Sequence, residues 1–140
     1  MAAGAQAAPV ADLEYLKMIQ AVIGRLAQNS FQAKSWSVAV VAAILAFGSK
    51  SAQASACALA LFPAVCFWML DSYYLRQERL FRALYSSAAA GRVAIYSMDT
   101  SPYEAKVAAM RSTMFATPVL LVHGIVLVVI GIVITVSTLG

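Results

Sequence analysis

Charged side chains, histidine and cysteine are all scarce in this chain, and each shortage closes off a class of activity. Charged residues make up 11% of the 140 positions, where a soluble globular domain carries about 25%. Six acids and a single histidine give no His/Cys set at metal-ligand spacing, no activated nucleophile and no phosphate loop. We therefore expect no catalytic residue, no metal and no cofactor. The two cysteines, Cys57 and Cys66, lie nine positions apart in one apolar stretch. At about 100° per residue they fall on opposite faces of a helix and cannot pair there, so they read as small apolar packing residues. The N-terminal MAAGAQAAP has neither a basic residue nor an apolar core, so it lacks the parts of a secretory signal.

What the chain does have is oil. Hydrophobic residues make up 62%, with a mean hydropathy of +0.80, which predicts an all-α integral membrane protein of one domain. Residues 116–140, ATPVLLVHGIVLVVIGIVITVSTLG, contain no charge over 25 positions, and about 20 suffice to span a bilayer. Thr117 is placed to cap this third span, over 116–139, and Pro118 suits its first turn. Two earlier spans are expected over 34–50 and 52–73, joined by a tight polar turn. Trp36 and Trp68 would then share one membrane face. Pro63 can bend the second span.

The flanks also read as helical. Over 9–33, Leu16, Ile19, Ile23 and Leu26 recur at three and four, an amphipathic pattern with Asp12 as N-cap. Such a helix either lies on the inner leaflet or packs on a partner helix. No breaker separates the second span from 74–90, so the helix should run on into water and stop at Gly91. SPYE at 101–104 has the form of a capping box opening a cytosolic helix over 102–114. Nine basic residues flank the predicted inner ends of the spans, and Lys50 alone lies in the turn. That asymmetry places the N-terminus inside and the C-terminus outside.

Several residues stand out against this frame. His123 is the one strongly polar side chain of the third span. It reads either as a polar or pore-facing group or as a neutral partner for a neighbouring helix. Asp71 has no basic residue at i+3 or i+4, whereas Lys34 on the preceding helix reaches the same boundary, which makes Lys34–Asp71 the expected interhelix pair. Arg76, Arg79 and Arg82 follow at three-residue spacing, with Glu78 able to pair Arg82 at i,i+4. They can meet anionic lipid, a partner protein or a phosphorylated signal. Small residues form stripes that let helices approach in lipid: Ala52, Ala56, Ala60 and Ala64; Ala39, Ala42, Ala43 and Ala46; and Thr117, Gly124, Gly131 and Thr138. Three small faces in so short a chain favour a homo-oligomer.

With LKMIQAVIGRLAQNSFQAKSWSV at 16–38, FWMLDSYYLRQERLFRALY at 67–85 and SMDTSPY at 97–103, the chain resembles an uncharacterised group of short bacterial membrane proteins. Its inner helix, two-span hairpin and Arg/Glu-rich exit helix also resemble the SLATT-type two-transmembrane effectors of anti-phage defence. That resemblance implies a pore-forming or membrane-disrupting effector triggered by a cytosolic sensor protein or nucleotide signal. The third span departs from the two-span pattern, so no family residue is carried over. The expectation is thus a homo-oligomeric effector of the bacterial inner membrane, in contact with lipid and with no direct nucleic-acid partner. The alternative is a non-conducting membrane adaptor or accessory subunit anchoring a soluble partner.

Overall fold

The structure is a computed structural model that describes residues 10–47 and 53–139. Every regular element among them is helical: α1 (Val10–Phe47), α2 (Gln53–Ala89), a single 3-10 turn at Ser101–Tyr103, α3 (Met110–Met114) and α4 (Thr117–Leu139). Three helices are long and apolar enough to cross a membrane, over Leu13–Phe47, Ser55–Ala89 and Thr117–Ser137.

α1 does not break near residue 33. The amphipathic segment and the first span are one rod of 38 residues, about 57 Å at 1.5 Å per residue, so roughly 25 Å extends beyond a 30 Å hydrocarbon layer. α2 is likewise continuous over 37 residues, through Pro63. The two pack along their length because each keeps a stripe that faces the other. On α1 the buried positions are Tyr15, Ile19, Ile23, Ser30, Ala33, Ser37 and Val41; on α2 they are Cys57, Ala60, Ala64, Asp71, Ser72, Leu80 and Leu84. The steps of three, four and seven on α1, and the same steps on α2 apart from the adjacent pair Asp71 and Ser72 and the eight-residue step to Leu80, are what a helix-helix seam requires. Asp12 lies inside α1 and does not mark its start.

Two cores result. In the polar extension, Tyr15, Ile19, Ile23, Leu80, Leu84 and Tyr103 form a core of their own, where each fully buried Leu or Ile contributes about 1.5–3 kcal/mol. In the apolar half, Val41, Cys57, Ala60 and Ala64 meet Val126 and Ile130 of α4. The hairpin turn, with Lys50 and Ala52, lies outside the described residues.

α2 stops as a glycine-capped helix. Gly91 adopts φ +67°, its N–H donates to the Ala88 carbonyl at 2.9 Å and that of Arg92 to Ser87 at 3.0 Å, which is the Schellman arrangement. The connector then folds back along the extension. Val93, Met98 and Val107 pack on its core, the Tyr15 hydroxyl donates to the Ser97 carbonyl, and the Tyr15 and Tyr96 rings meet edge-on with centroids 5.9 Å apart.

The helix expected over 102–114 does not form as one piece. Residues 104–109 are turn and coil between the 3-10 turn and α3. Ser101 is the first residue of the 3-10 turn and not its cap: Thr100 takes that place, without a side-chain capping bond, and the Ser101 N–H donates to Asp99 Oδ1 at 2.9 Å. A lone helix of this length is marginal, and burial of Tyr103 in the extension core and of Thr113 within α3 decides the path instead. At the start of α4 the Ala116 carbonyl accepts the first helical bonds, from Val119 and Leu120. Thr117 is therefore inside the helix, not its cap.

Candidate functional site: a buried polar cluster joining three helices

Where the apolar half meets the polar extension, the seam between α1 and α2 turns polar. Ser30 and Lys34 stand one turn apart on α1, opposite Asp71 of α2, and His123 of α4 closes the third side. Lys34 Nζ donates to Asp71 Oδ1 at 2.6 Å and to Ser30 Oγ at 2.9 Å. Ser30 Oγ donates to the same carboxylate oxygen at 2.5 Å. The other oxygen, Oδ2, lies 3.2 Å from His123 Nε2. On the far side of the imidazole, Ser37 Oγ is 3.5 Å from Nδ1. Asp71 and Ser37 are wholly buried, and His123 is 1% exposed.

One proton arrangement satisfies every member. An ionised Asp71 accepts from Ser30, Lys34 and the imidazole. With a proton on Nε2, His123 donates to Oδ2, and Nδ1 can accept from Ser37. That tautomer follows from the network.

Aromatic packing seals the cluster. The Trp68 indole stacks on His123, with planes 5° apart and centroids 6.2 Å apart. Its Nε1–H donates to the Met114 carbonyl at 2.9 Å, capping the end of α3, and Phe115 meets its edge. Trp68 thus fixes the α3–α4 junction against α2. Phe31, Trp36, Tyr73 and Phe115 are exposed, and aromatic rings are favoured at a membrane boundary.

Sequence reasoning paired Lys34 with Asp71 and named His123 apart from them; the structure brings all three into one network. Ser30 and Ser37 were missed, although both lie on the seam stripe that runs to Val41. His123 does not reach the outer surface of the chain. Of the small residues, Ala60 and Ala64 are spent inside the chain, Ala56 is half-buried, and Ala52 lies outside the described residues. Gly124 has only its own Leu120 within 4 Å of a built Cβ and Gly131 has nothing; Gly131, Ala39, Ala42, Ala43 and Ala46 are exposed. Arg82 pairs with Glu78 at 2.7 Å, while Arg76 and Arg79 make no ion pair among the described residues.

Chemically, the connection Ser37–His123–Asp71 has the order of an acyl-transfer triad. It is not poised for attack. Ser37 is sealed in the seam at 0% exposure, and the 3.5 Å contact would let its hydroxyl donate but places no reacting atom within reach. What the cluster can do is hold three helices in one register and orientation. Among the described residues no group of three His, Cys, Asp or Glu could hold a metal ion. An apolar groove of about 270 Å³ runs between α1 and α4, lined by Val38, Val41, Val122 and Val126 among others, and it does not include the cluster. The chain matches no family model, no curated protein and no solved structure.

Proposed function

We propose that this chain is a non-conducting membrane adaptor: a three-helix anchor that displays a preformed helical stalk, residues 10–30 and 74–90, to a soluble partner inside the cell. One observation carries the reading. At the level of the spans the strongly polar side chains turn inward and satisfy one another, with Ser37, Asp71 and His123 at 1% exposure or less. The faces left outward are apolar, among them Leu59, Phe62, Leu121, Ile125, Val128 and Ile132. Such a surface suits lipid and offers little lining for a water-filled path. The stalk, by contrast, has its own hydrophobic core and is strapped by the 91–109 connector, so it presents a rigid face. Exposed Leu13, Met18, Ile95 and Tyr96 supply apolar contact area on that face. The excess of basic residues at the stalk end supports an inner-membrane setting with the N-terminus cytosolic and the C-terminus periplasmic.

A second reading, a homo-oligomeric pore-forming or membrane-disrupting effector of anti-phage defence, is favoured by the exposed small residues of α1 and by Gly131. One assay separates the two. Purified full-length protein in dye-loaded liposomes should release no dye and pass no ions, with or without nucleotides, and its expression should not be toxic. Dye or ion flux that scales with protein content would overturn the adaptor reading.

A further inference from the structure

The three arginines of α2 are not equivalent. Arg82 is exposed and neutralised, with Nε 2.8 Å and Nη2 2.7 Å from Glu78 Oε1. Arg76 lies four residues from both Ser72 and Leu80, so it belongs to the stripe that faces α1. Its stem enters the seam, and its Nε is the one buried side-chain nitrogen or oxygen with no hydrogen-bond partner among the described residues. That nitrogen loses water and recovers nothing from the protein, while the tip of the guanidinium stays accessible. Arg79, half-buried on the next turn, is close enough to act with it: side chains three apart on a helix have Cβ atoms about 5–6 Å from each other.

Depth says what kind of group reaches them. Tyr73 is exposed and packs edge-on against Tyr74, with centroids 5.7 Å apart, in the aromatic belt that marks the boundary. Arg76 follows one turn later, about 4.5 Å further along the axis, inside a headgroup layer roughly 5–8 Å deep. We propose that Arg76 and Arg79 bind one phosphate group at this boundary. The two Nη groups at the tip of Arg76 donate to two of its oxygens as a fork, while Nε stays buried in the seam, and Arg79 approaches a third oxygen from the next turn. An anionic phospholipid headgroup and a soluble phosphate compound share that chemistry. The site stands whether or not the stalk anchors a partner.

The test uses full-length protein in nanodiscs of phosphatidylcholine, of phosphatidylcholine with phosphatidylglycerol, and of phosphatidylcholine with inorganic phosphate in the buffer. Thermal unfolding is followed by tryptophan fluorescence, and bound lipid by native mass spectrometry. The wild type and Arg82→Gln should gain stability from phosphatidylglycerol, and Arg76→Met should not. In phosphatidylcholine alone Arg76→Met should be at least as stable as the wild type, because it removes an unsatisfied buried donor. Retention of phosphatidylglycerol should fall about ten-fold, the scale of losing charge-assisted hydrogen bonds. Should Arg76→Met fail to fold, Arg76→Lys keeps the charge without the fork and should still lose most of the gain. A gain with inorganic phosphate but not with phosphatidylglycerol assigns the site to a soluble phosphate. An equal response of the Arg76 and Arg82 variants to phosphatidylglycerol would overturn the proposal in favour of diffuse surface charge. So would an equal loss by Arg76→Met in all three discs, which would make the arginine structural.

Discussion

Asp71→Asn is the sharpest perturbation of the cluster, because it keeps the shape of the side chain and removes only its charge. The carboxylate is wholly buried and the Lys34 side chain is 19% exposed. At 2.6 Å their attraction is about 6 kcal/mol at an effective dielectric constant of 20. Much of that is offset by the desolvation of a buried carboxylate, several kcal/mol. Removing one partner, however, exposes the full cost on the other side: Lys34 keeps its charge beside a neutral amide, and the amide cannot accept from Ser30, Lys34 and His123 together. Such truncations cost about 3–5 kcal/mol, and partial access of Lys34 to the headgroup layer sets the expectation near the lower figure, about 3 kcal/mol. Equilibrium unfolding in mild detergent measures it, with Trp68 emission as the probe because that ring stacks on His123. The double substitution Lys34→Met with Asp71→Leu should recover most of the loss, since an apolar pair of similar volume replaces a buried ion pair at little cost. A loss below about 1 kcal/mol for Asp71→Asn, or a double variant as unstable as the sum of the singles, would refute the reasoning.

Leu84→Ala should cost about 2–5 kcal/mol, because Leu84 is fully buried in the stalk core. Hydrogen exchange should rise over 10–30 and 74–90 while the apolar halves of the helices stay protected. Gly91→Ala should destabilise the end of α2 by about 1–2 kcal/mol through its left-handed conformation alone, since a Cβ there meets nothing within 4 Å; thermal unfolding reads it. Gly131→Leu should change the stability of the single chain by less than about 0.5 kcal/mol, while dissociating any oligomer built on that face of α4. An oligomer of unchanged size in light scattering would remove the face from the interface. Asp99 is held below the usual carboxylate range first by its bond with the Ser101 side chain and then by the Ser101 N–H. Its support of the connector is therefore complete above that range, near pH 4, and is lost as pH falls through the lowered value; exchange of the Ser101 amide should accelerate there.

The parts of this architecture that were legible in the sequence are those set by one-dimensional rules. Hydropathy and length mark three long apolar helices, and a lone acid at a helix boundary with no local counter-charge points to Lys34 across the hairpin. The i,i+4 spacing marks Glu78 with Arg82. What could not be read is lateral placement. His123 meets Asp71 because the connector folds back along the stalk and Trp68 seats the α3–α4 junction, and neither event has a periodic signature. SPYE carries the chemistry of a cap, yet Tyr103 is drawn into the stalk core and the helix behind it gives way to turn and coil. The small-residue stripe on α2 reads in sequence as a surface for packing between copies of the chain. Ala60 and Ala64, however, meet Val41 and α4 of the same chain, a distinction that spacing cannot make.

The two halves of the molecule are held by different forces, and that explains why the cluster sits where it does. On the adaptor reading, in which the stalk stands in water, the solvent drives Ile19, Ile23, Leu80 and Leu84 together, so apolar burial both stabilises and aligns the helices. Beyond the aromatic belt that drive disappears, because lipid tails are as apolar as the side chains. Val41, Ala60 and Ile130 can pack there but gain little by meeting one another instead of lipid. A hairpin with only such contacts could slide or turn between its halves. One buried carboxylate that must be met by α1 and α4 together admits a single register, and it stands at the level where the hydrophobic drive runs out. α4 has no part in the stalk core, so it depends on this point most. Loss of the cluster should therefore free α4 before it disturbs the α1–α2 pair, and the order of exchange in Asp71→Asn should be α4 first, then the apolar half of the hairpin, with the stalk last.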